Sequence, residues 1–262
     1  MLPTLTGLDH LVVAVRDLDA AAAAWRALGF TLSPRGLHSA HIGSANHTMM
    51  FGEDYLELLS PVAPTPHNEA LRDFLTRREG LDRAAFTTTD AAAGAAALRA
   101  RGVEAAGPVD FGRPVPMPDG RAAEARFSVF RWPEHVRPGG LGLFACQHHT
   151  PEAVWVPALK RHANGATGIR RVLVATADPA GAAAALAAAI GAAAVEEGAL
   201  HVVATGPRRG AIAFAPRPLI ARLAGCAEAA LPEEGGAAIV LATATPRPPG
   251  LATGCAVIFE PA

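Results

Sequence analysis

His10 and Glu57 are the residues whose types and settings best suit them to chemistry. His10 heads an apolar run, "GLDHLVVAV", and Glu57 lies inside another, "YLELLSP". Alternate residues of a strand share a face, so His10 groups with Leu8, Val12 and Ala14, and Glu57 with Tyr55 and Leu59. An imidazole and a carboxylate in one pocket can ligate a divalent ion, exchange protons, or pair with each other. Against this, a single histidine at a strand start is commonly a hydrogen-bonded structural residue, and a single glutamate a paired core carboxylate.

Further reactive types cluster in the first half. His41 and His47 flank "IGSAN", a turn-forming segment at the expected pocket mouth that can supply polar contacts or a base. His38 and His67 read as exposed loop histidines. Cys146 shares an alternation face with His148, yet neighbours two apart on a strand diverge, which makes a nucleophile pair with His148 or His149 weak. Ser44 and Ser128 lack a nucleophile elbow. "HIGSAN" has neither the glycine density nor the Lys-Ser/Thr pair of a phosphate loop, so no nucleotide cofactor is expected.

These residues need a scaffold, and the chain repeats one. "GLDHLVVAVRDLDAAAAAWRALGF" returns from Gly80 as "GLDRAAFTTTDAAAGAAALRARGV" and from Gly168 as "GIRRVLVATADPAGAAAALAAAIGA". In each copy a strand ends at an aspartate that can cap a helix (Asp17, Asp90, Asp178), and the helix ends at a glycine (Gly29, Gly102, Gly191). Short strands follow: in the first copy 31–35, 47–51 and 55–59, with "GED" as a turn. In the second they are 109–115, 125–130 and 141–147, with "MPDG" as a turn. Each unit reads strand, helix, three strands, an α+β pattern. A fourth copy survives as strands in "AAIVLATA" and "CAVIFEPA". The expected division is 1–152 as a complete pair of units, 153–164 as a linker with a short helix, and 165–262 as a degenerate pair.

Bulk properties narrow the function classes. The 262 residues carry 23 basic and 24 acidic side chains, a balance without the field that attracts nucleic acid or anionic membranes. Cys146, Cys226 and Cys255 are far apart and form neither a disulfide framework nor a zinc knot. The start lacks a secretory pattern and the alanine-rich runs are too short to span a bilayer, so a cytoplasmic protein with a small-molecule ligand is expected. A homodimer through the C-terminal part is the macromolecular partner left open.

The βαβββ unit, its duplication, and the stretches "LDHLVVAVRDL", "YLELLSP", "HIGSANHTMMF" and "FACQHHTPE" resemble the vicinal oxygen chelate superfamily, in particular its glyoxalase-like branch. The resemblance covers most of residues 7–152 and extends weakly beyond. It implies paired units whose curled sheet encloses a pocket, with a metal held by the first and last strands of each unit. His10 and Glu57 then occupy the first unit's ligand positions. In the second, Arg83 stands at the place of His10, and matching Pro61 with Pro151 sets Gln147 opposite Glu57, with His148 as the alternative after a one-residue slip. Zinc, nickel, manganese or iron(II) suits such a donor set, and Glu57 would double as a base in a lyase, isomerase or dioxygenase.

Arg83 opposes that reading, because a guanidinium cannot ligate. Paired with Glu57 it would instead give a metal-free pocket that binds or sequesters an anionic small molecule. On either reading Arg83 orients an anionic group, His47 offers a polar contact, and Tyr55, Phe51, Met49, Phe127 and Phe144 form the walls. A third reading makes the chain a scaffold whose second half mediates assembly. The third unit offers only Arg171 and Ala213 or Ala215 at the equivalent positions, which excludes a second metal site there.

Overall fold

The computed structural model describes residues 1–117 and 120–261. The first unit comprises β1 (Leu5–Ala14), α1 (Leu18–Ala27), β2 (Gly36–Leu37), β3 (Ser44–Met50) and β4 (Tyr55–Pro61). Helix α2 (Glu69–Arg77) leads into the second unit: β5 (Gly80–Thr88), α3 (Ala91–Arg99), β6 (Ala106–Pro116), β7 (Ala122–Arg131) and β8 (Gly142–His148). The third is β9 (Ala166–Ala175), α4 (Pro179–Ile190), β10 (Ala194–Glu197), β11 (Leu200–Val203) and β12 (Ala211–Ala215). After α5 (Arg217–Ala224) the fourth keeps β13 (Gly235–Thr243), β14 (Gly250–Ala252) and β15 (Cys255–Pro261), with no helix between them.

Three of the helices start as their sequences require. The carboxylates of Asp17, Asp90 and Asp178 accept from first-turn backbone N–H groups of α1, α3 and α4, which have no partner inside the helix. Helices α2 and α5 add to the expected elements, and Leu71, Phe74 and Leu75 in α2 and Ile220, Ala221 and Ala224 in α5 bury one helical face. Residues 31–35, expected as a strand, form none, and the short strand lies just after them at Gly36–Leu37. Pro34 has no N–H to give a ladder, and Ser33 bonds Thr48 through both its backbone and its hydroxyl instead. The "MPDG" turn includes Pro118 and Asp119, outside the described residues.

The units pair into two sheets of matching order. One runs β2-β3-β4-β1-β5-β8-β7-β6 and the other β10-β11-β12-β9-β13-β15-β14. In each, the first strands of two units lie antiparallel at the centre, and each is flanked by the parallel last strand of its own unit. The first sheet curls until its edges meet, where Ser39 N and Oγ both donate to Gly112 O, at 3.1 and 2.9 Å. One apolar core joins both sheets to α1, α3 and α4, and includes Leu81 of β5 and Ile239 of β13.

The central ladders share one irregularity. Register slips by one residue between Leu8 and His10 and, on the facing strand, between Arg83 and Leu81, which leaves Asp9 and Asp82 as bulged residues. In the second sheet the slips fall at Ala237 and Arg170. All four units therefore carry the bulge at the same place, two residues after the opening glycine. Bulges bend a strand and re-aim side chains. Leu8 consequently joins the helix-side core with Leu11 and Val13, and not the face of His10 expected from simple alternation.

Candidate functional site

The curled sheet encloses a cavity of about 700 Å³, mouth included, between the first and second units. His10, Tyr55 and Glu57 line it from one unit, and Arg83, Phe127 and Phe144 from the other. The His10 ring lies over Tyr55, centroids 4.3 Å apart and planes 14° from parallel, with the edge of Phe144 at 5.2 Å.

Asp9 is fully buried and fixes His10. Its carboxylate faces His10 Nδ1 at 2.6 Å and His148 Nε2 at 2.9 Å, and accepts from Thr87 Oγ1 at 2.7 Å. Burial opposes ionisation here, but His148 and His10 outweigh it and hold the carboxyl well below the usual carboxylate range. An ionised carboxylate only accepts, so both imidazoles donate to it. His10 Nε2 is then left facing Glu57 Oε2 at 3.6 Å.

Glu57 is held by residues the sequence reading passed over. Asn46 Nδ2 donates to its Oε1 at 2.6 Å, and His38 Nε2 stands 3.9 Å from the same oxygen. His38 is buried, not an exposed loop residue, and burial lowers its pKa to about 4, so it is neutral at pH 7. The Oδ1 of Asn46 is buried without a partner. Strand alternation was the available signal, since Ser44, Asn46 and Thr48 are the residues of β3 on the cavity. His47 and Met49 point the other way, His47 onto Ser33 O at 2.8 Å and Met49 into the shared core. Phe51 also lies outside, its ring 5.0 Å from that of His162.

The second unit repeats the first with different chemistry. Arg83 does not pair with Glu57; its Nε donates to the bulged Asp82 at 2.7 Å, and Arg137 takes the other carboxylate oxygen at 2.5 Å. Asp9 with His10 and Asp82 with Arg83 are thus equivalent pairs facing one cavity. The Nη2 of Arg83 is buried and unpartnered. Gly142 makes room for it: a Cβ there would stand 2.9 Å from Arg83 Cγ.

Register also corrects the expected partner of Glu57. His10 is opposite Tyr55, and Arg83 is opposite Gly142, so Phe144 is the counterpart of Glu57. Pro61 ends β4, and the residue ending β8 is His148, so Pro61 and Pro151 are not equivalent points. Gln147 lies on the opposite face, where its Oε1 accepts from Ala91 N at 2.9 Å and its Nε2 donates to Thr89 O at 3.1 Å. His148 shares the face of Phe144 but is committed to Asp9.

Two further arginines enter the cavity, Arg113 from β6 and Arg131 from β7. Burial first, then the neighbouring Arg83, pushes the Arg131 guanidinium below its ordinary value. Neither Arg113 nor Arg131 makes a side-chain hydrogen bond or ion pair among the described residues. Cys146 lines the cavity too, but burial and then Asp9 push its thiol well up, which removes the thiolate a nucleophile needs. Ser128 Oγ donates to Asp110 and faces His149 Nε2 at 2.6 Å. The hydroxyl, not the imidazole, is in the middle, the wrong order for a catalytic triad.

The donors present do not fit the implied metal. His10 and Glu57 face Arg83 and Phe144, which supply none, and no group of three His, Cys, Asp or Glu side chains among the described residues could hold an ion.

Tandem βαβββ units around such a cavity define the vicinal oxygen chelate architecture. The glyoxalase-like domain family matches residues 8–190, and the chain belongs to that family. A hypothetical protein from Staphylococcus aureus superimposes over 97% of this chain and 99% of its own, at a TM-score of 0.74 and 15% identity, and so shares the fold over both sheets. A variant of the methylmalonyl-CoA epimerase from Streptomyces coelicolor, in complex with 2-nitronate-propionyl-CoA, is 24% identical. It covers 56% of this chain and 99% of its own at a TM-score of 0.42. The Mycobacterium tuberculosis methylmalonyl-CoA epimerase is 20% identical over 59% of this chain and 96% of its own, at 0.43. Comparison with curated proteins gives no match.

Proposed function

We infer that this chain binds a small organic anion in the cavity of its first sheet, without a metal. The observation that carries the reading is the lining: Arg83, Arg113 and Arg131 share the cavity with one carboxylate, Glu57, and among the described residues Arg83 alone of the three is ion-paired. Arg113 is buried and Arg131 half-buried, and a carboxylate or phosphate would give their guanidiniums the paired, charge-assisted hydrogen bonds they lack among the described residues. The aromatic walls Phe111, Phe127 and Phe144 suit an apolar body attached to the anionic group. The metal-assisted reading rests on His10 and Glu57, and no third His, Cys, Asp or Glu among the described residues completes a group that could hold an ion.

The test is calorimetric titration of small carboxylic acids and phosphate monoesters beside the corresponding neutral amides and alcohols. The acids or phosphates should bind and the neutral compounds should not. Arg113→Gln and Arg131→Gln should each weaken binding roughly 10- to 100-fold, the worth of a hydrogen bond to a charged group. Equal binding of amides and acids would end the anion reading, and a stoichiometric divalent ion lost in His10→Ala would restore the metal.

A further inference from the structure

We propose that a second cleft, between the two sheets, binds small molecules through a phosphate group, with Arg170 and Arg208 as the cations that hold it and the buried Asp54 carboxyl as the third partner. The proposal does not depend on the cavity of the first sheet, which none of these three residues lines.

The cleft is open, about 870 Å³ with its mouth included, and three segments form it. The turn between β3 and β4 gives Glu53 and Asp54, the opening of β9 gives Gly168 and Arg170, and the loop before β12 gives Arg208 and Arg209. Arg170 is the bulged residue of the third unit, so the bulge that places Asp9 and Asp82 in the first sheet sets an arginine on the cleft in the second. The loop is clamped to β1. Thr205 Oγ1 accepts from Leu8 N at 2.9 Å and donates to Gly210 O at 2.7 Å, and Arg209 Nη1 donates to Leu8 O at 3.3 Å and to Glu53 O. The Arg209 stem passes over Gly7, where a Cβ would lie 2.3 Å from its Cγ. That clamp holds Arg208 at φ 56°, a left-handed conformation uncommon outside glycine, and such conformations persist where the surroundings impose them.

The two outer arginines are undersupplied. Arg170 stands 3.7 Å from Glu260 and Arg208 3.6 Å from Glu53, and neither guanidinium donates a hydrogen bond among the described residues. Glu53 is exposed and shared with Arg209 at 3.6 Å, a pairing of little worth in water. A phosphate can displace it, because its terminal oxygens accept from guanidiniums in paired, charge-assisted bonds. The space over Gly168 reaches Asp54, for a Cβ on that glycine would stand 3.8 and 3.9 Å from the two carboxyl oxygens. Burial raises the Asp54 pKa to about 7 against Ile169 N and Arg209, and Asp9 and Glu53 add to the rise. The other charges around it are Arg170 and Lys160, whose Nζ donates to Gly52 O at 3.4 Å. A bound anion favours the protonated carboxyl, which then offers it an O–H. Donors converging from three segments suit a tetrahedral group better than a planar carboxylate.

Pyrophosphate and sulfate are the probes, titrated by calorimetry into the full chain at fixed ionic strength. Arg170→Gln and Arg208→Gln change exposed side chains, and each should weaken pyrophosphate binding roughly 10- to 100-fold, whereas Arg113→Gln should leave it in place. Glu53→Gln should tighten it roughly 2- to 5-fold, the worth of the weak pair it removes. Sulfate keeps its charge between pH 6 and 8, so its affinity should fall about tenfold over that range with the protonated fraction of Asp54, and stay level in Asp54→Asn. No binding of either anion would overturn the proposal. So would binding that survives Arg170→Gln and Arg208→Gln, binding lost in Arg113→Gln, or the same pH slope in the wild type and Asp54→Asn.

Discussion

Two buried titratable groups pull the stability of this protein in opposite directions over nearly the same pH range. His38 is neutral in the fold, with its pKa lowered by burial from 6.5 to about 4. Between those values the unfolded chain holds a proton that the folded chain does not, so stability falls as pH drops through the window. Asp54 accepts from Ile169 N, yet burial raises its pKa from 3.8 to about 7. Here the folded chain holds the extra proton, so stability falls as pH rises from about 4 to 7. The two slopes oppose each other, and the wild-type profile should be shallow. Urea unfolding across pH 4 to 8 should separate them. His38→Gln should leave a steeper loss towards neutral pH. Asp54→Asn, which keeps an acceptor for Ile169 N, should leave a steeper loss towards acid, each by on the order of a few kcal/mol. Parallel profiles in all three proteins would contradict the burial argument.

At the level of elements, β8 decides what the second unit can hold. Its Gly142 stands where the first unit has Tyr55 under His10, and the missing side chain is the space through which the Arg83 stem passes. Gly142→Ala should displace that stem, lower stability by about 1–3 kcal/mol as overpacking does, and weaken carboxylate binding by calorimetry. An unchanged affinity would show that Arg83 Nη2 does not reach the ligand. The elements were largely legible from the sequence because capping aspartates and glycine-led strands recur at fixed spacing. The site was legible only in part. His10, Glu57, Tyr55, Arg83, Phe127 and Phe144 are brought to one cavity. Met49, Phe51, His47 and Gln147 are not, since facing depends on strand phase and a one-residue bulge or an alignment on the wrong proline reverses it. Alternation marks the face of Asn46, but the roles of Asn46, His38, Arg113 and Arg131 do not follow from it. Their importance lies in what stands across the curl from them, which no local pattern encodes.

For the whole molecule, the two sheets meet through their central strands. Gly236 of β13 sits so close to Leu81 of β5 that an added Cβ would lie 2.4 Å from Leu81 Cγ, and Leu81 is fully buried. Leu2 N also donates to Ile190 O, and Trp132 Nε1 to Ala189 O, tying the first sheet to α4. A chain ending after residue 152 would expose the apolar side of this contact, so it is expected to be insoluble or unfolded by circular dichroism. Gly236→Val should lower the unfolding midpoint of the full chain. An independently folded 1–152 fragment would show that the second sheet is an accessory. No helix among the described residues is long and apolar enough to cross a membrane.

The bulge recurs in all four units while the residues it presents differ. It presents Asp9 with His10 and Asp82 with Arg83 in one sheet, but Arg170 with Arg171 and Ala237 with Ala238 in the other. Backbone shape here is a mounting point common to the units, and the fitted instrument differs from one to the next. A search keyed to histidine and glutamate would therefore count one unit in this chain. One keyed to a glycine three places ahead of the mount finds four, at Gly7, Gly80, Gly168 and Gly235. In such a chain the repeat is counted by where the strand kinks, and the chemistry by what each kink carries.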